Sequence, residues 1–292
     1  MLKTGVTLSV RSDAFDPSDV MICSGTRRLA DVIGAAADPT AVVPRDDWRH
    51  LTPAERELLT PAPATPLNRM LTVLGLDADA LEACRDALLP VLAAAGEGNA
   101  GEGDAREGDV DEHAARRGSV LERVRERVLD AVGRRVGARS TRQGAADSVV
   151  HRPGLVSTAY NYERRTFMGL HLDNHEDFSL TERHRSLLLT VANLGFTDRY
   201  VHFVNLRTTD LMLMLAAGGH GVPETGHALK NAFFTAFPAH PVLRLRLRPG
   251  QAYLVNTQDV LHDGATNTVG LPDVSFLTAN RLTAAPLVRE AR

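Results

Sequence analysis

The sequence predicts an α+β protein, with a helix-rich N-terminal half followed by antiparallel strands closed into a sandwich or barrel. Three observations predict it. After about residue 148 the chain becomes a series of short strand-like runs between turns, among them "SLLLTVANL", "YVHFVNL", "DLMLMLAAGG", "HPVLRLRLRPG", "QAYLVNTQ" and "DVSFLTANRL". No regular helical patterns separate these runs, as a parallel α/β sheet would require. Before residue 148 the clearest apolar residues recur at the three- and four-residue spacing of helices. At 292 residues, 43% hydrophobic and 24% charged, the chain can bury a sizeable core.

The first 95 residues read as mixed and then increasingly helical. In "LTPAERELL", Thr52 suits an N-cap, Pro53 the first helical position, and Glu55 to Glu57 the first turn. In "DADALEACRDALLPVLAAAG", Leu81, Cys84, Leu88 and Leu92 fall at helical intervals, Pro90 predicts a kink or split, and Gly96 a stop. Residues 96–118 are rich in Gly, Asp and Glu and carry almost no large apolar side chains. They predict a mobile loop, because they cannot bury enough surface to offset the entropy of ordering. That loop separates an N-terminal segment, residues 1–95, which packs on the core, from the helix and strands of the core itself, residues 119–292, within one domain overall.

"SVLERVRERVLDAVGRRVGARS" opens the core. Ser119 suits an N-cap, and Leu121, Val124, Val128, Val132 and Val136 line one face. Glu122, Glu126 and Asp130 interrupt the arginines, which favours a helix packed on a sheet over one that binds nucleic acid. Further on, Leu243, Leu245 and Leu247 alternate with Arg244, Arg246 and Arg248, the period of a strand with one buried face. Pro249 and Gly250 predict a turn, with "QAYLV" pairing back as a hairpin partner.

Composition narrows the function classes. A formal net charge of −3 argues against a broad electrostatic grip on nucleic acid or anionic membrane. Cys23 and Cys84 have no metal-ligand or pairing spacing, which fits a reducing compartment. No signal peptide or membrane-spanning run is legible, so the expected location is cytoplasmic. Nucleophile-elbow, phosphate-loop and dinucleotide motifs are missing.

The chemistry concentrates in "MGLHLDNHED", residues 168–177. His171 and Asp173 are two apart, so on an extended segment both point to one side and can reach one ion. His262, in "GQAYLVNTQDVLHDGATN", is the best third ligand. Two histidines and a carboxylate suit non-haem Fe(II) with open positions, and zinc hydrolases use the same ligand types. His175 is a rival, but a helical zinc pair needs Glu directly after the first His, where Leu172 stands.

Together, His171-x-Asp173, the run of short strands, His262 after a Pro-Gly turn and hydrophobic strand, and an Arg on the next strand resemble the Fe(II)/2-oxoglutarate-dependent dioxygenases. The resemblance covers residues of about 155–285; the first 150 carry no recognised motif. It implies a double-stranded β-helix (jelly-roll, cupin-like) with flanking helices drawn largely from the N-terminal half. It also implies Fe(II) on His171, Asp173 and His262, with O2 and 2-oxoglutarate as cosubstrates. Arg281 would grip the distal carboxylate of 2-oxoglutarate, with Arg244, Arg246 or Arg248 next in line. The implied reaction oxidises a C–H bond of a small molecule and converts 2-oxoglutarate to succinate. The carboxylate of Asp173 favours oxygenation over halogenation, since related halogenases lack it.

For the substrate, "STAYNYERRTF" just before the metal motif offers Tyr160, Asn161, Tyr162, Arg164 and Arg165. These suit a small polar molecule such as an amino acid, a peptide or a natural-product intermediate. Arg185 and Arg199 are weaker candidates. The competing readings are a cupin-like metal-dependent hydrolase and a non-catalytic jelly-roll binding module.

Overall fold

The structure, a computed structural model, describes residues 1–98 and 107–284. The chain opens with β1 (Thr7–Arg11), β2 (Val20–Cys23), β3 (Thr26–Arg28), α1 (Ala30–Ile33), β4 (Val42–Pro44) and β5 (Arg49–His50). Next come α2 (Pro53–Leu59), β6 (Met70–Gly75), and the long helices α3 (Ala78–Gly98) and α4 (Glu107–Val136). The C-terminal half holds β7 (Ala138–His151), the short hairpin β8 (Tyr160–Asn161) and β9 (Thr166–Phe167), β10 (Leu188–Asn193) and β11 (Arg199–Arg207). Then follow α5 (Thr208–Ala217), α6 (Gly226–Ala236), β12 (Val242–Leu247), β13 (Gln251–Val255), β14 (Val260–Thr266) and β15 (Asp273–Ala284).

Two facing sheets form the core. The first has the order β1-β6-β13-β10-β15-β7, and the second β14-β11-β12-β2-β5. Apart from the parallel β1–β6 pair, the pairings within both are antiparallel. From β10 onward the chain passes back and forth between the sheets, which is the jelly-roll winding of an α+β fold. Alternation along each strand turns one set of side chains inward. Val73, Val191, Tyr253 and Val255 of the first sheet meet Ile22, Val201, Phe203, Leu243, Leu245 and Val260 of the second in one cluster. Outside the first sheet, Val124, Val128 and Val132 of α4 and Leu88 of α3 pack on Ala192, Ala252 and Phe276. Each of these valine, leucine and phenylalanine side chains contributes about 1.5–3 kcal/mol by leaving water. Outside the second sheet, α5 and α6 pack Leu211, Leu215, Leu229 and Phe233 against Val204, Leu206 and Leu261.

Several sequence expectations give way. Pro249 and Gly250 do not close a hairpin: β12 pairs with β11 and β2, while β13 pairs with β10 and β6. The turn, with Gly250 at φ 80°, carries the chain from one sheet to the other. "DLMLMLAAGG" is helical, because Leu211 and Leu215 sit four apart on one buried face and Asp210 accepts from the Arg207 amide to cap the start. Pro90 lies inside a single helix, α3. Of the expected loop 96–118, residues 107–118 are the first turns of α4, and 99–106 lie outside the described residues. The N-terminal segment does more than pack on the core, since β1 and β6 extend the first sheet, and β2 and β5 the second. As expected, the flanking helices come largely from the N-terminal half, with α5 and α6 added from the C-terminal half. The Thr52 cap is present, with Glu55 reciprocating. Among the described residues no helix is long and apolar enough to cross a membrane.

Candidate metal centre

β14 ends the strand order of the second sheet, so one of its edges is open to another partner. Residues 171–173 occupy that edge. The His171 amide donates to the His262 carbonyl and the His262 amide to the His171 carbonyl, both at 3.0 Å, and the Asp173 amide donates to the Thr257 carbonyl at 3.1 Å. Residues paired this way across antiparallel chains present their side chains on one face. The two imidazoles therefore lie side by side, with ring centroids 4.5 Å apart. Gly169 seats the same segment against β4, where the Leu170 amide donates to the Val42 carbonyl at 2.9 Å. Its φ is +62°, and a Cβ there would stand 2.3 Å from the Val42 carbonyl oxygen.

Both rings are oriented by the backbone. Nδ1 of His171 lies 2.9 Å from the Gly169 carbonyl, and Nδ1 of His262 lies 3.1 Å from the Val260 carbonyl. A carbonyl accepts only, so each Nδ1 carries a proton, and a ring that gives up its second proton leaves the lone pair on Nε2. Those Nε2 atoms converge on Asp173, at 3.3 Å from Oδ1 for His171 and 3.9 Å from Oδ2 for His262. One ligand atom from each of the three residues lies within 4.8 Å of the others. His175 stands outside this group, half-exposed, with Nδ1 3.9 Å from Asp173 Oδ2.

The electrostatics show why a cation suits the place. Burial pushes His262 down to about 4, helped by the charge of His171. Burial opposes ionisation of Asp173 also, but the His171 hydrogen bond and the charges of both histidines hold its carboxyl far below the usual range. His171 is pulled down by burial and carried above its ordinary value by Asp173. Next door, burial pushes Asp263 up to about 6. One carboxylate thus faces two ring nitrogens in a poorly solvated pocket, a donor set that fits a divalent transition metal.

Deeper between the sheets lies Arg199. Inward alternation along β11 puts Arg199, Val201 and Phe203 on one face, and Arg199 is only 4% exposed. Its Nε and Nη1 have no hydrogen-bond partner, and Nη1 is 3.7 Å from Asp273 Oδ2, too far for a good hydrogen bond. His151 and Ser275 approach the same Asp273 oxygen more closely, at 3.3 and 3.1 Å. The guanidinium reaches toward Gly264, whose absent Cβ would come within 3.1 Å of Nη2 and 2.2 Å of Thr158 Oγ1. Gly264 is the next inward position after His262, about 7 Å further along β14. The buried Tyr253 hydroxyl is pushed up to about 12 by burial, with Arg199 opposing and Asp173, Asp263 and Asp273 adding to the rise. It therefore lies in the field of both Arg199 and the triad.

The other residues singled out in the sequence are placed differently. Arg281 lies at the end of β15, where its Nη2 donates to the Arg185 carbonyl at 2.8 Å, in a cleft walled by residues 65–68, 136–138 and 184–186. No triad residue lines that cleft. Arg244, Arg246 and Arg248 point away from the core: Arg244 stacks over Trp48 and Tyr200, and the other two reach Asp19. Tyr160 is half-buried against Phe167 and Tyr162, with centroids 5.0 and 5.2 Å away. Tyr162 and Arg164 are exposed on the β8–β9 hairpin, and Arg164 pairs with Asp38 at 3.5 Å. The sequence offers Arg199 only as a weaker substrate candidate, and nothing in it marks Tyr253 as a buried neighbour of Arg199 and the triad.

No protein-family model matches the sequence, and no curated protein matches it. Among solved structures it is similar to the Kdo hydroxylase KdoO, described as a non-heme Fe(II) alphaketoglutarate-dependent dioxygenase. The apo form and the form in complex with alphaketoglutarate and Fe(III) each give 12% identity and a TM-score of 0.41, over 74% of this chain and 80% of that one. A likeness this distant carries no argument about activity, which must come from the site itself.

Proposed function

We propose that this protein is a non-haem Fe(II)/2-oxoglutarate-dependent oxygenase acting on a small molecule. The observation that carries the reading is the pairing of the His171, Asp173 and His262 cluster with a buried Arg199 whose donors are open. A hydrolase that only activates a metal-bound water has no use for a desolvated guanidinium between the sheets. A dicarboxylate cosubstrate has, because one end can reach the metal while the other takes a two-pronged hydrogen bond.

His171, Asp173 and His262 would hold the iron. When bound, the iron with O2 and 2-oxoglutarate supplies an oxidant for a C–H bond, with release of succinate and carbon dioxide. Arg199 fixes the distal carboxylate, with the Tyr253 hydroxyl beside it, and takes the role that the sequence resemblance gave to Arg281. Asp273 offsets part of the Arg199 charge but leaves its Nε and Nη1 donors open. Val201, Phe203 and Val255, packed between the sheets, keep bulk water from this end of the site. The β8–β9 hairpin, with Tyr160, Tyr162 and Arg164, leads directly into the segment that bears His171 and is the proposed contact for a small polar substrate. A cytoplasmic setting fits the two free, buried cysteines.

The test is anaerobic addition of Fe(II) and 2-oxoglutarate to the metal-free protein. A weak visible charge-transfer band is expected. Arg199→Gln should weaken 2-oxoglutarate binding by about 10- to 100-fold, the value of a charged hydrogen-bonded pair, while Arg281→Gln leaves it unchanged. Tight zinc binding with no band would favour the hydrolase. A band lost with Arg281→Gln and kept with Arg199→Gln would return the carboxylate to β15.

A further inference from the structure

Arg183 is buried, only 3% exposed. It sits in a 3₁₀ turn, Arg183–Arg185, between the metal motif and β10. Its Nη1 donates to two main-chain carbonyls, that of Asp173 at 2.9 Å and that of Gln258 at 3.0 Å. Nη2 donates to Oδ1 of Asn174 at 3.0 Å. Asp173 carries the carboxylate ligand, and Gln258 belongs to the loop that leads into β14 and His262. A single guanidinium therefore spans the two chain segments whose side chains must converge.

The surroundings hold Arg183 itself in place. Its carbonyl accepts from Asn256 Nδ2 at 2.9 Å, and Asn256 Oδ1 accepts from Ser186 Oγ at 2.6 Å. At the start of α6, Gly226 leaves the room the guanidinium occupies, since a Cβ there would lie 2.9–3.1 Å from its atoms. None of the three acceptors is a carboxylate. A buried cation bonded only to neutral acceptors is expensive in stability, and next to a cation site its charge is unfavourable. The carboxylates of Asp259 and Asp173 favour its charge, but attraction alone asks for no particular donor geometry, whereas a planar fork can reach three acceptors at fixed angles.

We propose that Arg183 is a positioning residue, tying the Asp173 loop to the loop before β14 and so setting the spacing of the metal ligands. The inference rests on the metal-site reading above, and deepens it by naming what holds the triad together.

Co(II) titration of the metal-free protein tests it, read by binding affinity and by the d–d absorption that reports ligand geometry. The wild type is expected to bind stoichiometrically. Arg183→Met and Arg183→Lys are expected to bind about 10- to 100-fold more weakly, the usual loss when a ligand's supporting contact goes, with an altered d–d spectrum. Lysine keeps the charge but cannot bridge both carbonyls and Asn174. Were through-space repulsion the main effect of Arg183, Arg183→Met would bind more tightly, which would overturn the proposal. Unchanged affinity and spectrum in variants that melt as cooperatively as the wild type would also overturn it, while leaving the metal reading intact. A wild type that takes up no Co(II) would remove the metal reading and this inference together. Should Arg183→Met fail to fold, Arg183→Lys and Asn174→Ala carry the test, the latter with a loss of a few-fold expected.

Discussion

The two sheets share one core but do different work. The central strands of the first, β6, β13 and β10, are covered on both faces: the inner side meets the second sheet, and the outer side lies under α3 and α4 through Ala192, Ala252 and Phe276. The second presents Tyr200, His202, Arg244 and Arg246 outward and keeps β14 at an edge. All three members of the metal cluster belong to that edge, His262 on β14 and the other two on the segment paired with it. The first sheet lends Tyr253 and Asp273 to the surroundings of Arg199. A ligand set needs a place where backbone donors and acceptors are still available to recruit an irregular segment, and an edge offers that while a covered central strand does not.

The sharpest way to break this division is to delete a ligand. Asp173→Ala should lower Co(II) affinity by more than about 100-fold, beyond the loss typical of a supporting residue, while circular dichroism shows the fold retained. A deep cut in the first sheet should do the reverse. Phe276→Ala should destabilise the protein by about 3–5 kcal/mol in urea unfolding, with the folded fraction binding Co(II) as before; a tenfold loss of affinity would mean the two sheets are not separable. Gly169→Ala should affect both quantities, because φ +62° and the Val42 carbonyl leave no room for a Cβ beside His171. A stability loss of about 1–3 kcal/mol together with weaker Co(II) binding is expected, and stability loss alone would detach the His171 segment from the site.

The smallest effect probes the outer face of the second sheet. His202 stacks on Trp48 at 5.4 Å and is held down to about 3 by burial and then by Arg244. The unfolded imidazole titrates near 6.5, so between pH 6.5 and 3 the unfolded state binds the extra proton. Stability should therefore fall as pH is lowered through that window, by at most about 1.4 kcal/mol per pH unit for one group. His240, down to about 4 by burial, adds to the fall between pH 6.5 and 4. His202→Gln should flatten the profile measured by urea unfolding at pH 7, 6 and 5; an unchanged slope would show that His202 is not the group responsible.

Strand identity was largely legible in the sequence, because alternation such as Leu243-Leu245-Leu247 reports one buried face directly. Pairing was not. The same alternation fits a hairpin across Pro249–Gly250 and a crossing between sheets, and only the partners decide. In "DLMLMLAAGG" the apolar residues satisfy both periods, so the Asp210 cap and the packing of Leu211 and Leu215 settle on helix. The cluster of His171, Asp173 and His262 could be read because two of its members share a short motif and the third follows a Pro-Gly turn and a hydrophobic strand. Arg199 and Arg183 could be read poorly or not at all: each matters through contacts with residues far away in the chain, and an arginine carries no local mark of burial.

The way the N-terminal strands are used has a consequence for biosynthesis. β6 is apolar and almost wholly buried, and its partner on one side is β13. β2 likewise waits for β12. At about 5–20 residues per second, roughly 10 to 40 seconds pass between synthesis of β6 and emergence of β13 from the ribosome. Throughout that interval "MLTVLG" lacks one of its two neighbours, making the nascent chain a natural client for a chaperone and a temperature-sensitive step in its production.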